Sequence, residues 1–296
     1  MLPNPDLKPA YDKVVWVYVY RDFSRKGQDH AAERTSTRFG VTSWPQLFLA
    51  DPHTLEILAH TGREVDSFLA AVERTRVEAT RSTAPIDAMR EAEARADELE
   101  KKGTVKLARA GIDDSDIVVR TLALGILASK DPKAVAARAT ELLAVPNDPF
   151  RYEVCAVLAK TSTPEAKRAL AALVSEPKDS LNPNVLRIRA VQALAACGDA
   201  ESVDAIAPHA RTGAYFNGLT GIAVDALAAI AERDRSARAA VREALKASYP
   251  APPDPSDERA HRACVALAKR VHAALKEKRG FPNPYDAEAR ARLMAD

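Results

Sequence analysis

Thiols and imidazoles are the side chains of this sequence best suited to chemistry, and their spacing argues against most of it. Cys155, Cys197 and Cys264 are too few and too scattered for a disulfide framework, and none belongs to a CxxC pair. Disulfide exchange needs an accessible thiolate. Cys155 and Cys264, however, recur at a position filled by Leu124, Val191 and Val224 in sister segments, where cysteine acts as a small buried hydrophobe. Cys197, in the helix-ending stretch AACGDA, is expected to be more exposed but has no partner thiol near it in sequence. The six histidines form no HxxxH or His/Cys cluster at ligand spacing. His53 and His60 could face each other across a turn, yet two imidazoles without a third ligand read as exposed hairpin positions. Phosphate-cradling glycine loops and serine nucleophile elbows are missing. The expectation is therefore no catalytic residue, no metal and no cofactor.

Charge narrows the partners. The chain has 43 Lys+Arg against 41 Asp+Glu, a formal +2, with neither half strongly basic, which argues against nucleic acid or an anionic membrane held by bulk electrostatics. Lys167, Arg168, Arg238, Arg242 and Lys246 could line a basic groove, but Glu141, Glu201 and Asp204 interrupt it. No window approaches 18 uninterrupted apolar residues, so membrane insertion is not expected. Residues 1–10 show no basic start followed by an apolar stretch, so no export signal is legible and the compartment stays open.

The elements follow from composition and period. With 58 alanines, 11 glycines and 5% aromatics, the chain favours closely packed helices. β-Branched and aromatic runs concentrate before residue 78, where 14–20 (VVWVYVY), 46–49 (QLFL) and 56–60 (EILAH) read as strands. A helix is expected over 30–39, capped by Asp29 and ended by Gly40, and another over 64–76 with Val65, Phe68, Leu69 and Val72 on one stripe. Residues 86–102 form a helix ending at Gly103. Its charged run 91–102 reads as the solvated face of a connector.

A repeat then emerges. Leu124 and Leu127, Cys155 and Leu158, Val191 and Leu194, Val224 and Leu227, and Cys264 and Leu267 recur with alanine after each second member, 31 to 40 residues apart. Asp131-Pro132 and Thr163-Pro164 supply an N-cap and an N1 proline for second helices. Pairs of this size cannot bury their apolar faces alone and must stack. The organisation expected is 1–78, a helical connector 79–111, repeats over 112–277 and a tail 278–296.

The stretches DIVVRTLALGILASKDPKAVAARATELL (116–143) and NVLRIRAVQALAACGDAESVDAIAPHA (184–210) resemble HEAT-type helical repeats, which implies a scaffold that binds proteins. The runs VVWVYVYRD (14–22), RFGVTSWPQLFLADP (38–52) and EILAHTGR (56–63), with the helix after them, resemble the C-terminal two thirds of a thioredoxin fold. The fold class implied is α/β followed by all-α. Trp44-Pro45 falls where that family has its cis-proline, and Gly62 where it has a late glycine. In the family, backbone just before that proline pairs with an extended substrate, so Ser43, Trp44 and Pro45 are the peptide-contacting residues the resemblance implies. The family's central strand and CxxC helix would precede residue 14, and MLPNPDLKPAYDK (1–13) carries neither. The expectation is a monomeric, non-catalytic protein-binding scaffold. The alternative is a thioredoxin-type oxidoreductase whose CxxC and export signal lie upstream, placing it in the periplasm or outside the cell.

Overall fold

The computed structural model describes residues 4–17, 19, 30–42, 46–52, 54–62, 64–75, 84–210, 218–249 and 257–275, with 288 and 291. The chain forms two compact units divided after Leu127. The first begins with a 3-10 turn, Pro5–Leu7, whose Asn4 side chain accepts from the Asp6 amide, and runs into α1 (Lys8–Tyr11). Then come α2 (His30–Arg38), β1 (Leu47–Ala50), β2 (Ile57–Thr61), α3 (Val65–Arg74), α4 (Ala84–Lys102), α5 (Val105–Gly111) and α6 (Ile117–Lys130), inside which the division falls.

β1 and β2 pair antiparallel, Leu47 opposite Thr61 and Leu49 opposite Ala59, with an irregularity between Leu49 and Ala50. Their turn is held by the Asp51 carboxylate, which accepts from the Thr54 amide at 3.1 Å, and Leu55 adopts a left-handed φ of 61°. Alternation along a strand sends neighbouring side chains to opposite faces. Leu49 joins the core of Leu7, Ala10, Phe68 and Val72, with Val14, Trp16, Val65 and Leu69 packed around it. Phe48 meets Phe39 at 5.1 Å between ring centres. The expected α3 stripe is therefore the face that closes this core. Gly40 (φ 64°) and Gly103 (φ 53°) take the left-handed conformation just past α2 and α4, as only glycine does without cost.

Two expectations are corrected here. Within the segment read as a strand over 14–20, residues 14–17 form no strand, while Tyr18 and Tyr20 lie outside the described residues. Burial still alternates, with Val14 and Trp16 inward and Val15 and Val17 at 89% and 81% exposure, but the backbone of 15–17 makes no hydrogen bond among the described residues. A strand is defined by its neighbour, and no described residue pairs with this segment. The described sheet is thus two-stranded and the chain mostly helical. Secondly, α4 is more than a solvated connector: Ala92, Ala96 and Leu99 are buried.

In the second unit, α7 (Pro132–Ala137), α8 (Ala139–Leu143), α9 (Asp148–Thr161), α10 (Pro164–Ser175), α11 (Pro183–Cys197), α12 (Val203–Ala210), α13 (Gly218–Arg233), α14 (Arg238–Ala247) and α15 (Glu258–Leu275) stack in two layers. One layer runs α9, α11, α13, α15 and the other α8, α10, α12, α14, each helix touching the next in its layer. Leu158, Leu194 and Leu227 are wholly buried, and Leu267 is nearly so; Leu127, in the first unit, is buried as well. Thr163 accepts from the Ala166 amide as expected of a cap, whereas Asp131 makes no such bond, and the helix after it breaks at Arg138.

Arginines stitch successive turns by donating to carbonyls that helix ends leave without partners. Arg151, at 1% exposure, donates to the Lys178 and Asp179 carbonyls at 2.9 and 3.0 Å and lies 3.5 Å from the Asp148 carboxylate. Asp148 in turn accepts from Ser180 Oγ at 2.9 Å. Arg187 donates to the Val174 carbonyl, and Arg233 to those of Ala195 and Gly198. Lys167 pairs with Asp199, and Asp234 accepts from the Ala200 amide.

Three outcomes follow for chemical denaturation. Leu158→Ala or Leu194→Ala should cost about 2 to 5 kcal/mol through the cavity left behind. Arg151→Met should cost about 3 to 5 kcal/mol, because it strands a buried Asp148 carboxylate. Burial pushes the Asp199 pKa up, but the hydrogen bond and charge of Lys167, joined by the Glu201 amide and the Ser202 hydroxyl, together outweigh it and hold the carboxyl below its ordinary value. Its stabilisation is present above the ordinary carboxylate range and fades as pH falls through the folded value. Asp199→Asn should flatten the acid limb of the stability profile there.

Candidate peptide-binding edge

Ser43, Trp44 and Pro45, the residues expected to contact a peptide, lie outside the described residues. Around them the structure supplies an edge. β1 ladders only with β2, so its far side presents unpaired backbone among the described residues. Nearby in sequence, Gln46 Nε2 lies 3.4 Å from His60 Nδ1, while Gln46 Oε1 and Thr61 Oγ1 are shielded from solvent without a hydrogen-bond partner. Trp16 stacks on Phe68 at 5.2 Å and receives Tyr11 edge-on at 6.1 Å. Its indole Nε1 is also shielded and unpartnered. The inward residues Val14 and Trp16 anchor the segment to the core, which leaves Val15 and Val17 outward beside an unpaired main chain. Such a stretch can take up an extended backbone by strand addition.

Redox chemistry finds no footing among the thiols. Cys155, Cys197 and Cys264 are all buried, which overturns the expected exposure of Cys197. Burial pushes the Cys155 thiol up to about 12, against the opposing pull of Arg189 and Arg151. Burial raises the Cys197 thiol too, despite Lys167 and Arg233. Among the described residues no three His, Cys, Asp or Glu side chains group as metal ligands; His53 lies outside them, and His60 faces Gln46 and the Phe48 ring. The basic groove dissolves as well. Lys167 is bound to Asp199, Arg168 lies 3.5 Å from Glu165, and Lys246 is buried 3.8 Å from Glu243. No described helix is long and apolar enough to cross a membrane.

One polar feature was not anticipated. A cleft of about 480 Å3 between α2 and α4 is lined by Arg34, Arg38, Glu93, Asp97 and Glu100, with Met89 among its apolar residues. Arg34 reaches Glu93, Asp97 and Glu100 at 2.5, 2.9 and 3.1 Å. Burial works against the Arg34 charge, but these carboxylates raise its pKa above the ordinary value. On the far side of α4, Arg95 grips Asp114 through two bonds of 2.7 and 3.0 Å. That hydrogen bonding raises the Arg95 pKa; burial pushes the Asp114 carboxyl up, but the Arg95 bond, the Asp116 amide and the charges of Arg95 and Arg120 together hold it below its ordinary value. The sequence did contain a sign: Arg34 and Arg38 are spaced i, i+4, and Glu93, Asp97 and Glu100 i, i+4, i+7. Thr35, the hydroxyl in the cleft, spends its donor on the Ala31 carbonyl, and each guanidinium is already neutralised, so the cleft offers neither nucleophile nor free cation.

Compared with protein-family models, curated proteins and solved structures, the chain matches none.

Alkylation checks the thiol assignment. With iodoacetamide at pH 8, Cys155, Cys197 and Cys264 should stay unlabelled in the native protein and label together in denaturant, because burial both blocks access and suppresses the thiolate. Fast native labelling of any one would contradict its burial.

Proposed function

We propose that the chain is a non-catalytic protein-binding scaffold, a thioredoxin-like first part with an open strand edge joined to HEAT-like stacked helix pairs. The observation that carries this reading is the segment 14–17, with Val15 and Val17 exposed and the backbone of 15–17 without partners among the described residues, in the same unit as a β1 edge that no other described strand pairs with. Strand addition draws affinity from main-chain hydrogen bonds and specificity from alternate side chains. Burying Val15 and Val17 under a partner would contribute about 1.5 to 3 kcal/mol each. The buried thiols support the non-catalytic half of the proposal, since no accessible thiolate is on offer.

Selection of linear peptides displayed on phage tests it. The peptides enriched should alternate apolar and polar residues, and Val15→Pro and Val17→Asp should each weaken them about tenfold, the first by removing a backbone donor and the second by charging the apolar stripe. Enrichment unaffected by both changes would place binding elsewhere. With the 296-residue chain present, dithiothreitol should reduce insulin disulfides no faster than at the uncatalysed rate. Accelerated reduction would overturn the non-enzyme reading.

A further inference from the structure

Hydrophobic burial gives α2 little reason to stay attached. Of the described side chains over 31–38, Ala32 and Ser36 are the buried ones, and the Ser36 hydroxyl donates to the Ala32 carbonyl at 2.6 Å. Nine residues fall short of the roughly 12 to 15 at which isolated helices become even marginal in water. Thr35, Ser36 and Thr37 lower its propensity further.

Ion pairs supply what apolar contact does not. Arg34 and Arg38, one turn apart, both reach Glu93, which gives Oε2 to Arg34 at 2.5 Å and Oε1 to Arg38 at 2.9 Å. Asp97 and Glu100 add to Arg34, and Asp116 takes Nε and Nη2 of Arg38 at 3.2 Å each. The arginine side chains are only 14% and 15% exposed. Among the described residues, other charged groups of this neighbourhood include Glu33 on α2 itself, Arg95 and Glu91 on α4, Asp114 before α6 and Arg120 on it. Arg95 is committed to Asp114, and among the described residues Glu93 is the one carboxylate shared by both α2 arginines.

We propose that α2 is a salt-sensitive latch keyed by Glu93, which closes the first unit through its pairs with Arg34 and Arg38 and opens while the rest of the protein stays folded. Phe39 follows α2 directly and packs on Phe48, so opening bares the aromatic side of the β1–β2 hairpin. The inference stands independently of the peptide-binding reading. It requires that α2 respond to ionic strength as no apolar-packed helix does, because screening weakens partly exposed pairs and leaves apolar burial untouched.

Hydrogen exchange read by mass spectrometry at pH 7 decides it on the whole chain. Between about 0.01 M and 1 M NaCl the screening length falls from about 30 to about 3 Å. Exchange over 30–38 should then quicken about tenfold, and over 65–74 and 164–175 less than about twofold. Glu93→Gln should exchange fast over 30–38 at both salt concentrations, and Asp97→Asn, which leaves the shared carboxylate in place, should keep most of the salt response. Salt-independent exchange over 30–38 in the parent protein would overturn the proposal. So would a Glu93→Gln protein in which 65–74 quickens as much as 30–38, since α2 would then belong to the general core.

Discussion

A helix pair with a single apolar face has no stable existence alone, and the architecture of the second unit follows from that constraint. Alanine is the residue that lets the constraint be met at close range. Ala190 and Ala193 on α11 and Ala223 and Ala226 on α13 are all buried, so the two helices approach with little between them but small side chains and the leucines that key them together. Ala-rich helices also form at minimal conformational cost. What they lack is volume for a thick core, and the stack compensates by repetition: each pair covers its neighbour, so apolar area accumulates along the row.

Repetition leaves helix ends stacked on helix ends, where orphan carbonyls would be costly if shielded. Arg151, Arg187 and Arg233 answer that problem, each donating to carbonyls of another turn. Arg151 is the extreme case. A guanidinium taken almost wholly out of water needs a counter-charge and acceptors together, and Asp148 with the 178–179 carbonyls supplies both. The same interaction steadies Asp179 at a left-handed φ of 51°, a conformation unfavourable for a residue with a Cβ. In the first unit the balance is reversed. There α3 is held by Phe68 and Val72 in a core, whereas α2 depends on charge, so two helices of similar length answer to different solvents conditions.

Sequence reading reached what local period determines. The α3 stripe and the leucine register were legible because 3.6-residue spacing fixes which side chains share a face, and Gly40 and Gly103 because helix ends favour a residue tolerant of positive φ. It failed where a neighbour decides. VVWVYVY has every local property of a strand, yet a ladder needs a second backbone, and residues 15–17 have none among those described. Cys197 differs for a similar reason: AACGDA marks a helix end, but the thiol is only 3% exposed, and Lys167 on α10 and Arg233 on α13 are brought near enough to act on it, which no local pattern announces. The α2–α4 network was half visible. Both charge ladders can be read in the sequence, but that they meet, across 55 to 66 residues, is a tertiary fact. At the candidate site, Ser43, Trp44 and Pro45 came from resemblance, while the structure contributes Val15, Val17 and the shielded Trp16 indole.

A strand edge unpaired among the described residues, in one unit with exposed valines, is ordinarily a liability, because it templates association with any other strand. Folded proteins blunt such edges with charge, brevity or covering elements. Two of those measures are present here: β1 has only four residues, and Lys13, paired with Glu73, stands directly before the valine segment. They limit the edge without removing it. Trp16 could have been a polar residue with no cost to an exposed loop, yet it is packed between Tyr11 and Phe68, which fixes Val15 and Val17 outward instead of letting them fold into the core. Holding those side chains in water costs free energy that a mobile or polar segment would not incur. A packed anchor that enforces apolar exposure is what a surface kept ready for another chain requires, and that physical economy, more than any resemblance, is the ground for reading the first unit as a place where proteins dock.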